Sequence, residues 1–409
     1  MAAMDEVRLV GGSVPRTLFV TNDFPPRVGG AQTYYWNMLR TLDPDGVVVV
    51  APDHPGAAAF DAGHPYTVVR DAHTTLLPTP ALERRCERLV REHDLELLQL
   101  GHPLPAGLLG PWLRRTARVP YVVFLGGAEV TVPGAIPGVA RMLRGVLVEA
   151  ALLLTVSRYT AEQATRLTHG LARPAVLRPA LDVGRYTAAL DIDPAAARAT
   201  LGLPPGPLVL CIGRLVPRKG QDVLIDAVAG LVETFPTVRL ALVGGGRMAG
   251  ELRDRAAAGG IADRVSLPGE VTGDRLRLWL RAADVFAGPS RDRLHGLEVE
   301  GFGIVYAEAA LSGLPVIAGR SGGAPEAVIE GESGFVVDAD RPADLRDALA
   351  RLLAMSPEER RRMGERGRRL ALSRHTPDLA AARYHELLGA AVGRAASVPL
   401  DRVSRLVHV

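Results

Sequence analysis

Short apolar runs rich in β-branched residues recur along this chain, and stretches with helical periodicity lie between them. That alternation constrains the fold more than any other feature. Parallel strands need a crossover of about a dozen residues or more, and a helix is the element that usually fills it. In the first half, strands are expected at Thr17 to Thr21, Val47 to Ala51, Leu97 to Leu100, Tyr121 to Leu125 and Leu152 to Val156. In the second half they are expected at Leu208 to Ile212, Arg239 to Val243, Val265 to Leu267, Val285 to Ala287 and Pro315 to Ala318. Helical stretches such as Thr33 to Leu42 and Leu82 to Glu92 fall between them. Both halves therefore read as α/β, doubly wound and Rossmann-like.

At 409 residues the chain is too long for one ordinary core. Two domains of roughly 150 to 200 residues are expected. The boundary falls between Ala180 and Pro207, where an Ala/Pro/Gly-rich stretch ends in LGLPPGP. This gives an N-terminal extension over 1–15, a first domain over 16–190 and a second over 191–376. A C-terminal helix, Pro377 to Val392, and a tail without clear pattern follow over 377–409. Two such domains facing each other leave a cleft between the carboxyl ends of their strands, where open α/β sheets bind ligands.

Composition narrows the class. With 47% apolar and 23% charged residues, the chain is globular rather than disordered. Its pI near 9.1 owes much to arginine, and no basic stripe interleaved with aromatics points to nucleic acid. Cys86 and Cys211 stand alone, which suggests a reducing compartment and neither a disulfide framework nor a zinc site. The N-terminus (MAAMDEVRLVGG) lacks a signal-peptide core, and Gly145 to Val156 is interrupted by Glu149 and too short to span a bilayer. The expected location is cytoplasmic, with membrane contact at most peripheral, at the inner face.

The chain holds one lysine, Lys219, against 47 arginines. It sits in CIGRLVPRKG, a loop following an expected strand and also carrying Arg214. An ammonium is a compact point charge where guanidinium is a planar fork needing room. Two cations on such a loop suit a diphosphate whose departure needs its developing charge neutralised; two solvated surface cations are the plainer alternative. The segment LVGGGRMAGEL places Gly244, Gly245 and Gly246 between a strand and a helix, but it is not a full G-x-G-x-x-G, and tight turns explain it as well. VSLPGEV reads as a strand end and turn.

The most informative segment is EGFGIVYAE, with Glu300 and Glu308 eight residues apart. Gly301 and Gly303 let backbone approach a ligand, and a helix starting near Ile304 aims its first N–H groups at an anion. The glutamates stand up to about 12 Å apart along a helix. Carboxylates flanking one glycosidic bond are usually about 5 to 9.5 Å apart, so a span from a sugar (Glu300) to a ribose (Glu308) fits better. A loop charge and a solvated helix residue form the alternative. In the first half, Gly29 and Gly30 precede a helix whose N-terminus could serve phosphate or hydroxyls. The pairs Asp43/Asp45, Asp191/Asp193 and Asp338/Asp340 match a D-x-D pattern in unrelated contexts and are read as chance.

Together these segments, from Thr21 to about Tyr384, resemble the retaining family 4 glycosyltransferases of GT-B fold, and among them the actinobacterial GDP-mannose-dependent phosphatidylinositol mannosyltransferases. The combination of G-R-x4-K with E-x7-E carries the likeness. The resemblance implies a nucleotide-sugar donor, GDP-linked rather than UDP-linked, bound mainly by the second domain, without cofactor or metal. It implies Arg214 and Lys219 on the diphosphate, assisted by the amides of Gly303, Ile304 and Val305. It puts Glu308 on the ribose, Glu300 with Phe302 and Gly303 on the donor sugar, and Gly244 along the donor site. Gly29 and Gly30 fall at the phosphate and acceptor side, and the domains close on the donor. The diphosphate oxygen takes the acceptor's proton as attack proceeds on the face the leaving group vacates.

One departure stands out. Relatives commonly carry a His-Gly pair after the fourth first-domain strand, where this chain reads VVFLGGAEVTVPG. Gly126 stands in the histidine's place, with Gly127 and Glu129 continuing the pattern. A donor enlarged at its sixth carbon, an acceptor as reactive as a thiol, or binding without turnover would each account for it. The expected acceptor is a small polar or thiol metabolite of a specialised actinobacterial pathway. A phosphoinositide lipid is the alternative, and a sugar-nucleotide binder or nucleotide-sugar 2-epimerase of the same fold stands outside the transferases.

Overall fold

The computed structural model describes residues 14–27 and 29–395. The tail beyond residue 395, and the N-terminal extension up to residue 13, lie outside the described residues. The chain divides into two units: Met1–Ala180 with Asp378–Val409, and Leu181–Pro377. The division falls at the early edge of the expected boundary region, ten residues before the expected end of the first domain at 190.

The first unit is built on a seven-stranded sheet: β1 (Thr17–Val20), β2 (Val47–Pro52), β3 (Thr67–Asp71), β4 (Leu97–Leu100), β5 (Tyr121–Leu125), β6 (Leu152–Thr155) and β7 (Pro174–Val176). Their order is β3-β2-β1-β4-β5-β6-β7, and every neighbouring pair is parallel. Side chains alternate across the sheet. Leu18 and Val20 pack into a core with Leu82, Cys86 and Leu143, whereas Phe19 packs with Met38, Phe124 and Leu154 on the other face. Burial on both faces is why these strands read as unbroken apolar runs.

The helix Pro377–Ala395, which the sequence set apart from both domains, belongs to the first unit from Asp378 on. Tyr384, Leu388 and Ala391 fill the Phe19 face of the core, and the Tyr384 hydroxyl donates to Gln99 Oε1 at 2.7 Å, in the middle of the sheet. Gln99 is fully buried. That bond satisfies a polar group that would otherwise cost about 1–3 kcal/mol.

The second unit holds a six-stranded parallel sheet: β8 (Leu208–Ile212), β9 (Arg239–Val243), β10 (Val265–Gly269), β11 (Val285–Gly288), β12 (Val316–Gly319) and β13 (Gly334–Val337), in the order β10-β9-β8-β11-β12-β13. The VSLPG segment, read as a strand end and turn, forms the whole of edge strand β10. Its register on β9 shifts between Ser266 and Gly269, and the edge tolerates the missing N–H of Pro268. In each sheet the strand order reverses once, between β1 and β4 and between β8 and β11. Those reversals are where open α/β sheets leave a crevice outside the strand ends.

Candidate functional site

In the second unit, the loop after β8 runs from Gly213 through Arg214 to a 3₁₀ turn, Pro217–Lys219, and the loop after β11 carries Ser290 and Arg291. Both leave the carboxyl ends of the two strands at the reversal. The glycine triplet after β9 serves this loop directly. A Cβ on Gly244 would stand 2.1 Å from the Gly213 carbonyl oxygen, and the Leu215 amide donates to Gly245 O at 2.8 Å. Gly244 is thus a backbone seat for the Arg214 loop rather than a dinucleotide motif.

Glu300 is the hub of the site. It is only 7% exposed. Its Oε2 accepts from Lys219 Nζ at 2.5 Å, from Arg218 Nη1 at 2.8 Å and from Ser290 Oγ at 3.4 Å. Burial pushes this carboxyl up, but the Lys219 and Arg218 charges outweigh it and hold the group below its ordinary value. Behind it, the Glu300 amide donates to Ser321 Oγ, which donates to Asp292 Oδ1 at 2.6 Å. Arg214 is exposed and has no ion-pair partner among the described residues.

Gly303 leads into the helix Ile304–Leu311 with φ 78°, a left-handed conformation that glycine adopts without strain. A Cβ there would also strike the Tyr306 ring at 2.3 Å. No side chain caps the helix, which leaves the first-turn amides, Ile304 and Val305 among them, for an anion. Tyr306 is fully buried and donates to Gly288 O at 2.7 Å, tying this helix to the end of β11.

Glu308, one helical turn past Ile304, accepts from the Tyr186 hydroxyl at 2.5 Å. Burial raises its carboxyl above the ordinary value, against the opposing effects of Tyr186 and Arg185. Phe302, expected at the donor sugar, is buried. The residue is 4% exposed, and its ring packs 5.1 Å from the His375 ring.

In the first unit, Gly29 stands at the head of the helix Gly30–Leu39, and a Cβ on it would meet Gln32 Oε1 at 2.3 Å. Gln32 Nε2 donates to Asp23 Oδ1 at 2.6 Å, and His102 Nε2 lies 2.9 Å from Asp23 Oδ2. The His102 hydrogen bond holds Asp23 below its ordinary value despite partial burial. Asp23 and His102 follow β1 and β4, at this sheet's reversal, and sequence reasoning missed both. The available signal was a polar residue within three positions of a buried strand's carboxyl end. Gly127 heads the helix Ala128–Gly134, which carries Glu129 in its first turn. A Cβ on Gly126 would lie 3.0 Å from Glu129 Oε1, so the space expected there is bordered by a carboxylate.

Three aspartates of the D-x-D matches have local roles. Asp43 accepts from the Asp45 amide, Asp193 caps the helix Pro194–Thr200 through the Ala196 amide, and Asp338 accepts from the Asp340 amide. Both cysteines are buried, which pushes their thiols up to about 12 and leaves them poor nucleophiles at neutral pH. No helix among the described residues is long and apolar enough to cross a membrane.

Two doubly wound units with parallel sheets define a GT-B architecture, and in the second of them the strand-end loops gather cations, a buried carboxylate and an uncapped helix N-terminus. Residues 28–185 match Glycosyltransferase Family 4, and residues 196–370 match Glycosyl transferases group 1. The chain belongs to this glycosyltransferase family. It is 40% identical over 378 residues to the GDP-mannose-dependent alpha-(1-6)-phosphatidylinositol monomannoside mannosyltransferase of Mycolicibacterium smegmatis, covering 91% of this chain and 97% of that one. The protein of the same name from Mycobacterium tuberculosis is 38% identical over 384 residues, covering 91% and 98%. Among solved structures, Anabaena HepE in complex with UDP superposes with a TM-score of 0.77 at 21% identity, covering 91% of this chain and 99% of that one. Sucrose-phosphate synthase from Thermosynechococcus elongatus gives 0.73 at 21%, covering 91% and 98%. These two support the fold.

Proposed function

We propose that this glycosyltransferase is a retaining enzyme that moves mannose from GDP-mannose to a phosphatidylinositol-type lipid. The observation that carries the donor half is the cluster at the β8/β11 reversal, with Arg214, Lys219, Glu300 and the Ile304 helix N-terminus on adjoining loops. The names of the relatives above, at 38–40% identity over 91% of the chain, support the mannosyl and lipid half.

In this reading Arg214 and Lys219 meet the diphosphate charge together with the first-turn amides, and no metal ion is required. Neutralising charge as it develops on the leaving oxygen is usually the largest catalytic contribution. Glu300 offers Oε1 to the sugar hydroxyls while Oε2 stays anchored. Glu308 exchanges the Tyr186 hydroxyl for those of the ribose. The departing diphosphate takes the acceptor's proton, so no further base is assigned. The small-acceptor reading rested on open space at Gly126. Glu129 borders that space, and the relatives favour the lipid.

The test pairs GDP-mannose, GDP-glucose and UDP-glucose with phosphatidylinositol vesicles, free inositol phosphate or a small thiol, reading nucleotide release and product mass. Mannosylated lipid from GDP-mannose alone is expected. Transfer to the thiol or the free inositol phosphate but not the lipid would replace the acceptor assignment. Nucleotide binding without release in any pairing would replace catalysis with binding.

A further inference from the structure

We propose that Arg218 is a positioning residue that keeps the Glu300 carboxylate negative when a donor diphosphate draws Lys219 away. The inference rests on the donor site assigned above. It starts from an excess: one carboxylate oxygen, Glu300 Oε2, holds two cations at once. Lys219 cannot serve both this oxygen and a diphosphate at full strength.

The two cations differ in freedom. Lys219 carries a compact ammonium on a four-carbon stem, which can swing between acceptors. Arg218 carries a planar fork that does not lose its proton in proteins. Its backbone is also fixed, since Arg218 O accepts from the Arg291 amide at 2.9 Å and Arg291 is itself held by Asp222 Oδ2 at 2.7 Å. Among the described residues, the Arg218 side chain bonds to Glu300 alone. An arriving diphosphate therefore finds Lys219 on a stem that can turn toward it and Arg214 without an ion pair among the described residues, while Arg218 stays with Glu300.

Among the described residues, the groups facing Glu300 leave no substitute. Lys219 and Arg218 come from the 3₁₀ turn, Ser290 from the loop after β11, and Tyr306 from the Ile304 helix through its bond to Ser290. Asp292 lies behind Ser321 and adds negative charge only. With both cations gone, a carboxylate this buried takes up a proton. It would then lose acceptor capacity where a sugar hydroxyl needs it.

The experiment follows the Glu300 carboxyl by infrared difference spectroscopy of the full chain against pH, with the band assigned by its loss in Glu300→Gln. Lys219→Met imitates the departure of Lys219 without any ligand. Glu300 should stay ionised at neutral pH in the wild type, in Arg218→Gln and in Lys219→Met, and become protonated in the double variant. Arg218→Lys in the Lys219→Met background should restore ionisation. Adding GDP-mannose should raise the protonated signal in Arg218→Gln and not in the wild type. Protonation already in Lys219→Met, or ionisation persisting in the double variant, would overturn the proposal. So would bound GDP-mannose that leaves Arg218→Gln unchanged. A wild type that does not bind GDP-mannose would count against the donor assignment, whereas the ligand-free comparison would still decide what Arg218 does.

Discussion

Replacing Glu300 by Gln tests the centre of the site. The change preserves shape and one acceptor oxygen but removes the negative charge between Lys219 and Arg218. Those side chains are 12% and 15% exposed, so water does little to replace the lost partner. Removing one member of a buried ion pair costs about 3–5 kcal/mol, because the other charge is stranded. The remaining amide oxygen keeps part of the hydrogen bonding, which places the expectation near the lower end, about 3 kcal/mol. For a unit of this size each kcal/mol shifts Tm by about 2–4 °C, so the fall should be about 6–12 °C. The sign of the pH dependence follows from the depressed carboxyl. Its contribution is fully present above the ordinary value of 4.5 and is lost as pH falls through the lower folded value. Calorimetric melts of both proteins from about pH 7 down to about pH 3.5 should therefore show a gap that is full at neutrality and narrows in acid. Inorganic pyrophosphate should raise the variant's Tm more than the wild type's, since two cations now lack an anion. Equal melting at neutral pH, or a gap that does not narrow in acid, would refute the reasoning.

Glu308→Gln should do the reverse at its end of the helix. The raised Glu308 carboxyl contributes stability below the ordinary 4.5 that is lost as pH rises through its folded value. The neutral amide keeps the Tyr186 bond without the burial cost. Its Tm at pH 8 should equal or exceed the wild type's, while GDP affinity in calorimetric titration falls about tenfold, or 1.4 kcal/mol. Phe302→Ala should cost about 3–5 kcal/mol in denaturant unfolding as a core truncation, with GDP-mannose affinity of the folded protein unchanged; a large affinity loss would mean that the ring touches the sugar. Gly126→His should fold with a loss below about 1 kcal/mol, because the new Cβ meets only the flexible end of Glu129. A larger drop in Tm would mean that Glu129 cannot swing aside.

The central strands were legible because they are buried on both faces and read as apolar runs. β3, β7 and β13 escaped notice, and each is a sheet edge. β3 ends in Arg70 and Asp71, and β7 has three residues, so neither offers a run long enough to read. At the site, Lys219, Glu300 and the Ile304 helix stood out from motif spacing. The role of Arg218 did not, because its partner lies 82 residues away and only the pairing of β8 with β11 brings the two together. Tyr186 gave no signal at all, since it meets Glu308 across 122 residues.

The return of the helix Pro377–Ala395 to the first sheet has a consequence for how the protein is made. The second unit is one continuous stretch, Leu181–Pro377, inserted into an otherwise interrupted first unit. During synthesis the second unit is complete in sequence while the first still lacks the residues that cover Phe19, Phe124 and Gln99. The half that begins first therefore finishes last. Until Tyr384 and Leu388 arrive, the part of that face not covered by Tyr34, Tyr35 and Met38 is exposed apolar surface, the kind of surface that recruits chaperones or aggregates. Stopping the chain near Pro377 should thus harm the N-terminal half and spare the one just completed.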